Sequence, residues 1–465
     1  MGEPAVQFMD LDELRMDLTD VSNAAVFADF AAGKLLWVRE KECWYYWDDS
    51  RWAPDVGLFR EAVAKQLGDY YYNKGRNTAG KQWEMYLKHA TACRQLPWMK
   101  NAIQLAKSEI GMSCSVDDLD TRDMLLTVKN GTIDLTTGKL TPSLPKNGIT
   151  KRVDIDYDPG ATCPRWHEFL SQVLPQPGVP AFLQRAVGYS LTGSTEEQCM
   201  FILHGAGANG KTVLLETVKA VCGDNATQAR SEILLATNRD KATHEYAELR
   251  GARMVVTSET PENRRLDEQQ VKLITGGDEI AARHMYKENF RYRPKFKIWM
   301  ATNYLPEIQG TDDGIWRRLR LIPFKQSFTD DTVPPRDPKL REVLDKELPG
   351  ILAWAVQGAL DWQRDGLAPP DSVVLATKHY RQSEDIVAEF IEERCRRDDT
   401  ARARFADLYA AFEEYCQGNG DRPMSKKKLG CRLDLMGFES VSGARNAKFR
   451  EGLHLLSVTH VTDGG

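Results

Sequence analysis

The stretch Gly205-Ala-Gly-Ala-Asn-Gly210-Lys211-Thr212 has the G-x-x-x-x-G-K-T spacing that wraps backbone N–H groups around nucleotide phosphates. In such a loop the lysine reaches the β and γ phosphates and the hydroxyl that follows ligates Mg²⁺. Gly205 to Thr212 together with Val213 are therefore the candidate nucleotide-binding residues: Gly205, Ala206, Gly207, Ala208, Asn209, Gly210, Lys211, Thr212 and Val213. Hydrolysis of a nucleoside triphosphate also needs a carboxylate to hold metal or orient water. Arg253-Met-Val-Val-Thr-Ser-Glu259 supplies one just past a β-prone run, so Glu259 joins Thr212 as a candidate metal ligand. A second run, Phe296-Lys-Ile-Trp-Met-Ala-Thr-Asn303, ends in an amide able to hold both a γ-phosphate and the attacking water without adding charge. Further on, Asp313-Gly-Ile-Trp-Arg317-Arg318 carries two arginines ahead of another strand. One of them, Arg317 first and Arg318 in reserve, can serve as the cation that stabilises transition-state charge across a subunit boundary.

These residues need an α/β scaffold. Cys199-Met-Phe-Ile-Leu-His-Gly is a short apolar run ending at glycine, the form of a buried parallel strand, and Thr-Val-Leu-Leu-Glu-Thr-Val after the motif continues as a helix. Strand and helix patterns alternate to about Phe324. A Pro- and Asp-rich loop, Ser327-Phe-Thr-Asp-Asp-Thr-Val-Pro-Pro-Arg-Asp-Pro338, then predicts an exposed connection to one long helix from Leu340 to Trp362. Residues 161–370 are the expected ATPase domain.

Upstream, residues 1–160 are expected to form an α+β domain. Its Trp-rich segment, Leu35 to Asp55, gives two or three small strands whose aromatics are assigned to a core rather than to base stacking. A helical bundle is expected from Leu58 to about Ile110, with Trp83, Tyr86 and Leu87 on one face, and short strands from Leu125 to Tyr157. Downstream of a 363–372 connector, residues 371–465 predict helices near 383–397 and 402–417, then a strand, turn and strand, an arrangement suggesting a winged helix. Lys426, Lys427 and Lys428, with Arg445, Lys448 and Arg450, could face DNA phosphates or simply be a solvated basic face.

Composition narrows the class. The 465 residues have a net charge of −5, so any nucleic-acid contact must come from local basic patches. Nine scattered cysteines show no C-x-x-C pair, which argues against a cysteine metal site and for core thiols in a reducing compartment. No apolar run reaches the roughly 20 residues a membrane-spanning helix needs, and no signal-peptide pattern opens the chain. No membrane association is expected.

In order and content these elements resemble the superfamily 3 helicases of the AAA+ class, in the phage, plasmid and poxvirus primase-helicase group. The specific piece is Val271-Lys-Leu-Ile-Thr-Gly-Gly-Asp278 through Asn303, which is similar to that family's GGD segment, the hairpin before its sensor strand, and the sensor. The resemblance implies an AAA+ P-loop core, ATP and Mg²⁺ as cofactors, and a hexameric homo-oligomer with ATP between subunits. It further implies 3′ to 5′ movement on single-stranded DNA and unwinding of forked duplex DNA. Its channel hairpin carries over to Lys287, with Tyr286 and His284 beside it, a cation next to rings suited to phosphate contact and stacking.

The match departs at Thr257-Ser-Glu259, where a doubled carboxylate is common, and Asp278 stands as a possible helper. Asp154-Ile-Asp156 superficially offers a primase metal pair, but no segment upstream is expected to house a primase, leaving a separate primase or polymerase as a possible partner. The location implied is the cytoplasm of a bacterial host carrying a phage or plasmid. The alternative is an ATP-switched origin-binding initiator without unwinding of its own; a nucleotide kinase is disfavoured because no lid or acceptor pocket is evident.

Overall fold

A computed structural model describes residues 17–236, 243–257, 262, 264–283, 288–308, 310, 312–419, 423–443 and 447–456. At the amino end, α1 (Asp20–Ala31) begins at Thr19, whose hydroxyl accepts the Ser22 N–H at 3.2 Å. Strands β1 (Leu35–Val38), β2 (Cys43–Trp47) and β3 (Trp52–Pro54) form an antiparallel meander. Helices α2 (Phe59–Gly75), α3 (Gly80–Cys93) and α4 (Leu96–Leu105) follow, and β4 (Ser113–Cys114) completes the sheet in the order β3-β2-β1-β4. Trp44 and Trp52 are buried, and edge-on ring pairs join Trp37 to Trp44 and Trp47 to Trp52, so these aromatics pack as core.

The buried stripe of α3 runs through Tyr86, His89, Ala90 and Cys93. Leu87, expected on that face, is exposed, because at 100° per residue it lies nearly a third of a turn from the stripe's centre. His89 accepts the consequence of burial: its ring meets Tyr71 and Trp98 edge-on, one ring nitrogen lies 2.9 Å from Asn23 Oδ1, and desolvation holds its pKa below the ordinary histidine value. The unfolded chain then binds more protons below the ordinary histidine range, so His89 contributes stability that is lost as pH falls through about 6.5. The melting temperature should drop between pH 7 and 5, and His89→Gln, which keeps a partner for Asn23, should flatten that drop; an unchanged acid limb would remove His89 as its cause.

The antiparallel strands β5 (Leu125–Val128), β6 (Gly131–Asp134) and β7 (Lys139–Thr141) come next, then α5 (Pro164–Val173) and α6 (Val179–Leu191). Leu126, Val128, Ile133, Val153 and Tyr157 share one continuous apolar cluster with α5, α6 and the central sheet, so the limit expected near residue 160 cuts through continuous packing.

The central sheet alternates with helices: β8 (Met200–His204), α7 (Lys211–Cys222), β9 (Ala226–Ala229), α8 (Thr243–Glu248), β10 (Met254–Thr257), α9 (Glu268–Thr275), the antiparallel hairpin β11 (Ile280–Arg283) and β12 (Asn289–Tyr292), β13 (Lys297–Thr302), α10 (Asp313–Trp316) and β14 (Leu319–Pro323). Its five strands are all parallel in the order β14-β8-β13-β10-β9, which is 5-1-4-3-2 by position along the chain. Residues β-branched or bulky on both faces explain the near-continuous burial of β8, β10 and β13.

Two cations are buried at the opening ends of β10 and β13. Arg253 donates to the carbonyls of Leu191, Arg122 and Leu125, and the Lys297 ammonium to those of Thr192 and Ser194 and its neighbour Lys295. The carbonyl end of α6 suits positive charge, which offsets part of the desolvation these groups bear.

The long helix expected from Leu340 to Trp362 is two: α11 (Leu340–Lys346) and α12 (Leu348–Asp365). Pro349 cannot donate within a helix, and the Glu347 carboxylate at the break instead caps the N–H groups of Arg165 and Trp166 at 3.0 and 2.9 Å. α12 lies against α6 where glycines face each other: a Cβ on Gly188 would sit 2.0 Å from the Ala359 nitrogen, and one on Gly358 2.1 Å from the Gln184 carbonyl. Gly188→Ala should therefore force the helices apart and cost about 1–3 kcal/mol or more, visible as a lower urea midpoint; a wild-type midpoint would show that the contact yields.

At the carboxyl end, α13 (Asp371–Ser383) occupies part of the expected connector. It packs on β14, with Thr377 Oγ1 accepting the Leu321 N–H at 3.1 Å, and Tyr380 joins the central core. A separate cluster begins at Val387, formed by α14 (Ile386–Arg394), β15 (Cys395–Arg404), α15 (Phe405–Gly418), α16 (Lys426–Leu435), β16 (Ser440–Ser442) and β17 (Lys448–Leu455). The sheet order is β15-β17-β16, antiparallel. Residues 395–397 and 402–404, expected in helices, are strand: cross-strand pairing with β17 overrides the helix propensity of this mostly charged run.

Candidate functional site

The phosphate-loop motif lies where the sequence placed it, between β8 and α7 at the carboxyl edge of the parallel sheet. The chain turns away from β8 at Gly205, so close to β14 that a Cβ there would sit 2.1 Å from the Phe324 carbonyl oxygen. Gly210 has φ +87°, and its Cβ would fall 2.7 Å from Val173. Gly207 has open space around it. Gly205→Ala should thus lower both melting temperature and nucleotide affinity, whereas Gly207→Ala should leave the melting temperature of the nucleotide-free protein unchanged; equal melting shifts would contradict this division.

Lys211 opens α7 and is nearly buried. Its ammonium donates to the carbonyls of Gly205 (2.6 Å) and Ala206 (3.1 Å) and to the side-chain oxygens of Asn209 (3.0 Å) and Asn303 (2.9 Å). Asn209, also buried, donates through its amide to Ala206. Thr212 is exposed in the first turn of α7, where unpaired N–H groups and the helix dipole favour anions.

Asn303 follows β13 directly, and the amide N–H groups not engaged by Lys211 remain suited to a phosphate oxygen or water. Beside it, burial chiefly, and the Lys211 ammonium secondarily, hold the His204 pKa below its ordinary value, while a hydrogen bond with the Asn303 backbone acts the other way.

A cavity of about 840 Å³ opens from this loop. Residues 207–213 and Asn303 give it a polar side, and Phe169, Val173, Phe328, Pro335 and Leu340 an apolar one, a division that fits a molecule with charged and flat apolar ends. The 327–338 loop, expected to be exposed, is mostly so, yet its inner side walls this cavity. Phe328 N–H donates to the Ala208 carbonyl at 2.7 Å, and Asp337 pairs with Arg165 of α5 at 3.2 Å. Sequence reasoning missed α5 and this loop as site elements; the one hint was phenylalanine within an otherwise polar stretch.

The two arginines diverge. Arg318 is buried, its Nε donating to Thr275 Oγ1 at 3.1 Å and an Nη to the Gly314 carbonyl at 2.6 Å, whereas the Arg317 side chain is exposed. Asp278 is near Arg318 and does not line the cavity. Glu259, two residues beyond β10, lies outside the described residues, as do His284, Tyr286 and Lys287 between β11 and β12. The hairpin strands that carry the latter three are present, with Arg283 paired to Asn289.

Other expectations settle differently. Val153, Ile155 and Tyr157 are buried while Asp154 and Asp156 point to solvent, and among the described residues no group of three His, Cys, Asp or Glu could hold a metal ion. Six cysteines are buried, but Cys431 is exposed rather than a core thiol. Arg450 is no phosphate contact: it is buried, donating to the Phe438 and Gly430 carbonyls and pairing with Asp434. Arg445 lies outside the described residues. No described helix is long and apolar enough to cross a membrane.

Fold and site together define a mixed α/β protein with a phosphate-loop motif at the carboxyl edge of a parallel sheet. Three family models match it: "D5 N terminal like" over residues 24–175, a family of unknown function (DUF5906) over 203–318, and "Poxvirus D5 protein-like" over 382–445. A protein named "Putative helicase" of Acanthamoeba polyphaga mimivirus is 28% identical over 327 residues, covering 65% of this chain and 34% of that one. Another "Putative helicase", of Frog virus 3, is 28% identical over 297 residues, 59% of this chain and 30% of that one. A "Putative primase" of African swine fever virus is 24% identical over 348 residues, 69% and 36%. The chain spans about a third of the length of these curated relatives. Among solved structures, the A-form apo structure of the NrS-1 C-terminal region is 8% identical, with 90% of this chain and 96% of that one covered at a TM-score of 0.44. The chain carries D5-type domains at both ends and fits the superfamily 3 primase-helicase group.

Proposed function

We propose that this chain is an ATP-dependent DNA helicase of a virus, phage or plasmid replicon, working as a hexameric ring that moves 3′ to 5′ on single-stranded DNA. The observation that carries the reading is the 2.9 Å contact between Lys211 and Asn303, which couples the phosphate loop to the neighbouring strand's polar terminus. The 5-1-4-3-2 strand order supports an AAA+ core, and the carboxyl-end helices with β15-β17-β16 support a winged-helix-like module. The names of the viral relatives support action on nucleic acid during replication.

The residues fit ATP: the loop between Gly205 and Gly210 admits no side chain at those two positions, and its N–H groups and α7 favour phosphate. On binding, Lys211 exchanges loop carbonyls for β and γ phosphate oxygens. Thr212 and Glu259 hold Mg²⁺, which when bound neutralises phosphate charge. Asn303 orients the attacking water, Glu259 takes its proton, and Arg317 of an adjoining subunit steadies the charge on the departing phosphoryl group. Lys287, flanked by Tyr286 and His284, grips single-stranded DNA in the channel.

ATP hydrolysis with and without single-stranded DNA, alongside unwinding of 3′-tailed and 5′-tailed forks, tests this. DNA-stimulated hydrolysis with 3′-tail unwinding, absent in Lys211→Ala and uncoupled in Lys287→Ala, is expected. Hydrolysis without unwinding by the wild type would replace the motor with an origin-binding initiator.

A further inference from the structure

The β11–β12 hairpin forms a two-stranded sheet of its own, and so narrow a ribbon does not hold its position in water unaided. Ile280, Ala282, Phe290 and Tyr292 make its inward face. Ile280, Ala282 and Tyr292 are buried in the central core, and the Tyr292 hydroxyl donates to the Tyr246 carbonyl of α8 at 2.5 Å. Register pairs Ile280 with Tyr292 and Ala282 with Phe290, so Phe290 is the inward ring nearer the turn.

Two further contacts hold the hairpin from outside that core, and both lead to residues 115–123, between β4 and β5. Near the turn, the guanidinium of Arg250, just past α8, lies 4.9 Å from the Phe290 ring centroid and pairs with the Asp117 carboxylate. One planar group serves both partners, its edge meeting the carboxylate and its face the ring. At the other end Lys295, three residues past β12, pairs with Asp123 at 2.6 Å and donates to the Asp120 carbonyl at 3.1 Å.

The 115–123 segment is itself fixed. Ser115 and Asp118 cap a tight turn reciprocally, the Ser115 hydroxyl accepting the Asp117 N–H at 3.2 Å and Asp118 accepting the Ser115 N–H at 2.8 Å. Glu40, just past β1, accepts from the Ser115 hydroxyl at 2.9 Å and the Val116 N–H at 2.8 Å, and Asp120 accepts from the N–H and hydroxyl of Thr150 at 2.8 and 2.5 Å. The anchors add little to global stability, because the Asp117 and Asp123 side chains are 74% and 43% exposed and water screens their pairs. Their effect is on orientation: one anchor would leave the hairpin a hinge, whereas two at opposite ends set its angle.

We propose that residues 115–123 are a positioning clasp for the hairpin. Asp117 acts through Arg250 and Phe290, and Asp120 and Asp123 act through Lys295, to hold it at the angle at which it meets single-stranded DNA. The DNA step rests on the motor reading above; the clasp does not.

The test compares the full chain with Asp117→Ala/Lys295→Ala, which releases both anchors, and with Asp117→Glu/Lys295→Arg, which keeps both charges. In the alanine variant, hydrogen exchange of the β11 and β12 amides, read without nucleotide or DNA, should quicken about 3- to 10-fold, the factor two surface ion pairs supply. Amides of β8 and β13 should exchange as in the wild type. Added salt should quicken the hairpin amides of the wild type and move those of the alanine variant less, since salt screens the pairs. The single-stranded DNA concentration that half-stimulates ATP hydrolysis should rise about threefold or more, with basal hydrolysis unchanged. The Glu/Arg variant should restore wild-type exchange and stimulation. Unchanged hairpin exchange in the alanine variant would overturn the proposal, as would equal quickening in β8 and β13, which reports general loosening. Quicker hairpin exchange with wild-type DNA stimulation would also overturn it, by reducing the contacts to a structural role. If DNA stimulates no hydrolysis in the wild type, the motor reading falls and the exchange comparison still decides the clasp.

Discussion

Arg317→Ala is expected to slow ATP turnover by about 10³ to 10⁵ while leaving the fold intact. The side chain is exposed, so its loss should shift stability by no more than about 0.5 kcal/mol. Arg318→Ala should do the reverse in order of severity: it removes the donor to the Gly314 carbonyl and one of the two hydrogen bonds of the Thr275 hydroxyl, which keeps its bond to the Val271 carbonyl, a loss of about 1–3 kcal/mol, and depresses activity only through the damaged structure. Mixing Arg317→Ala with Lys211→Ala subunits distinguishes a residue acting across a boundary from one acting at home. In the proposed ring each variant would lack a different half of the site, so mixed rings should regain part of the turnover neither has alone. No recovery, or an Arg317→Ala chain with normal turnover, would remove Arg317 from the transition state.

Lys211→Ala should reduce turnover by about 10² to 10³ at least, with weaker nucleotide binding. The ammonium already satisfies two loop carbonyls and two side-chain oxygens, so it must surrender those partners to reach phosphate. That competition makes Lys211→Arg a severe change as well: a planar, forked guanidinium does not fit the acceptors a compact ammonium meets. Calorimetric titration of nucleotide and phosphate-release rates should show both variants impaired. Near-normal release in Lys211→Arg would mean the loop tolerates a larger cation and that the contact with Asn303 is incidental.

The motif between β8 and α7 was legible because backbone geometry demands its residues: glycine where the loop approaches Phe324 and Val173, lysine at the helix start. Asn303 was legible by its place after an apolar run. The 327–338 loop was not, since its polar and proline content fits solvent equally well, and only Phe328 tells which side closes on the cavity. Arg317 and Arg318 are chemically equivalent in sequence; their different surroundings come from the turn of α10 and from Thr275, over forty residues earlier. The break at Glu347 was legible in Pro349, which cannot donate within a helix, whereas the duty of the Glu347 carboxylate in capping α5 is one that a helical period cannot reveal. Strand β15 carries a charged pattern that has no apolar period at all, and its structure is imposed by β17.

The cluster that unites β5, β6 and residues 153–157 with α5, α6 and α12 bears on how the phosphate-loop region can be isolated for study. A fragment beginning after residue 160 would leave the surfaces that meet Leu126, Val128, Ile133 and Tyr157 facing water, and Arg253 would lose two of its three carbonyl partners. Such a fragment would be expected to associate nonspecifically whatever its catalytic residues can do. Starting it ahead of Arg122 keeps both the apolar contacts and the arginine's acceptors, so the shortest well-behaved phosphate-loop fragment should carry about forty residues that belong, by sequence pattern, to its neighbour.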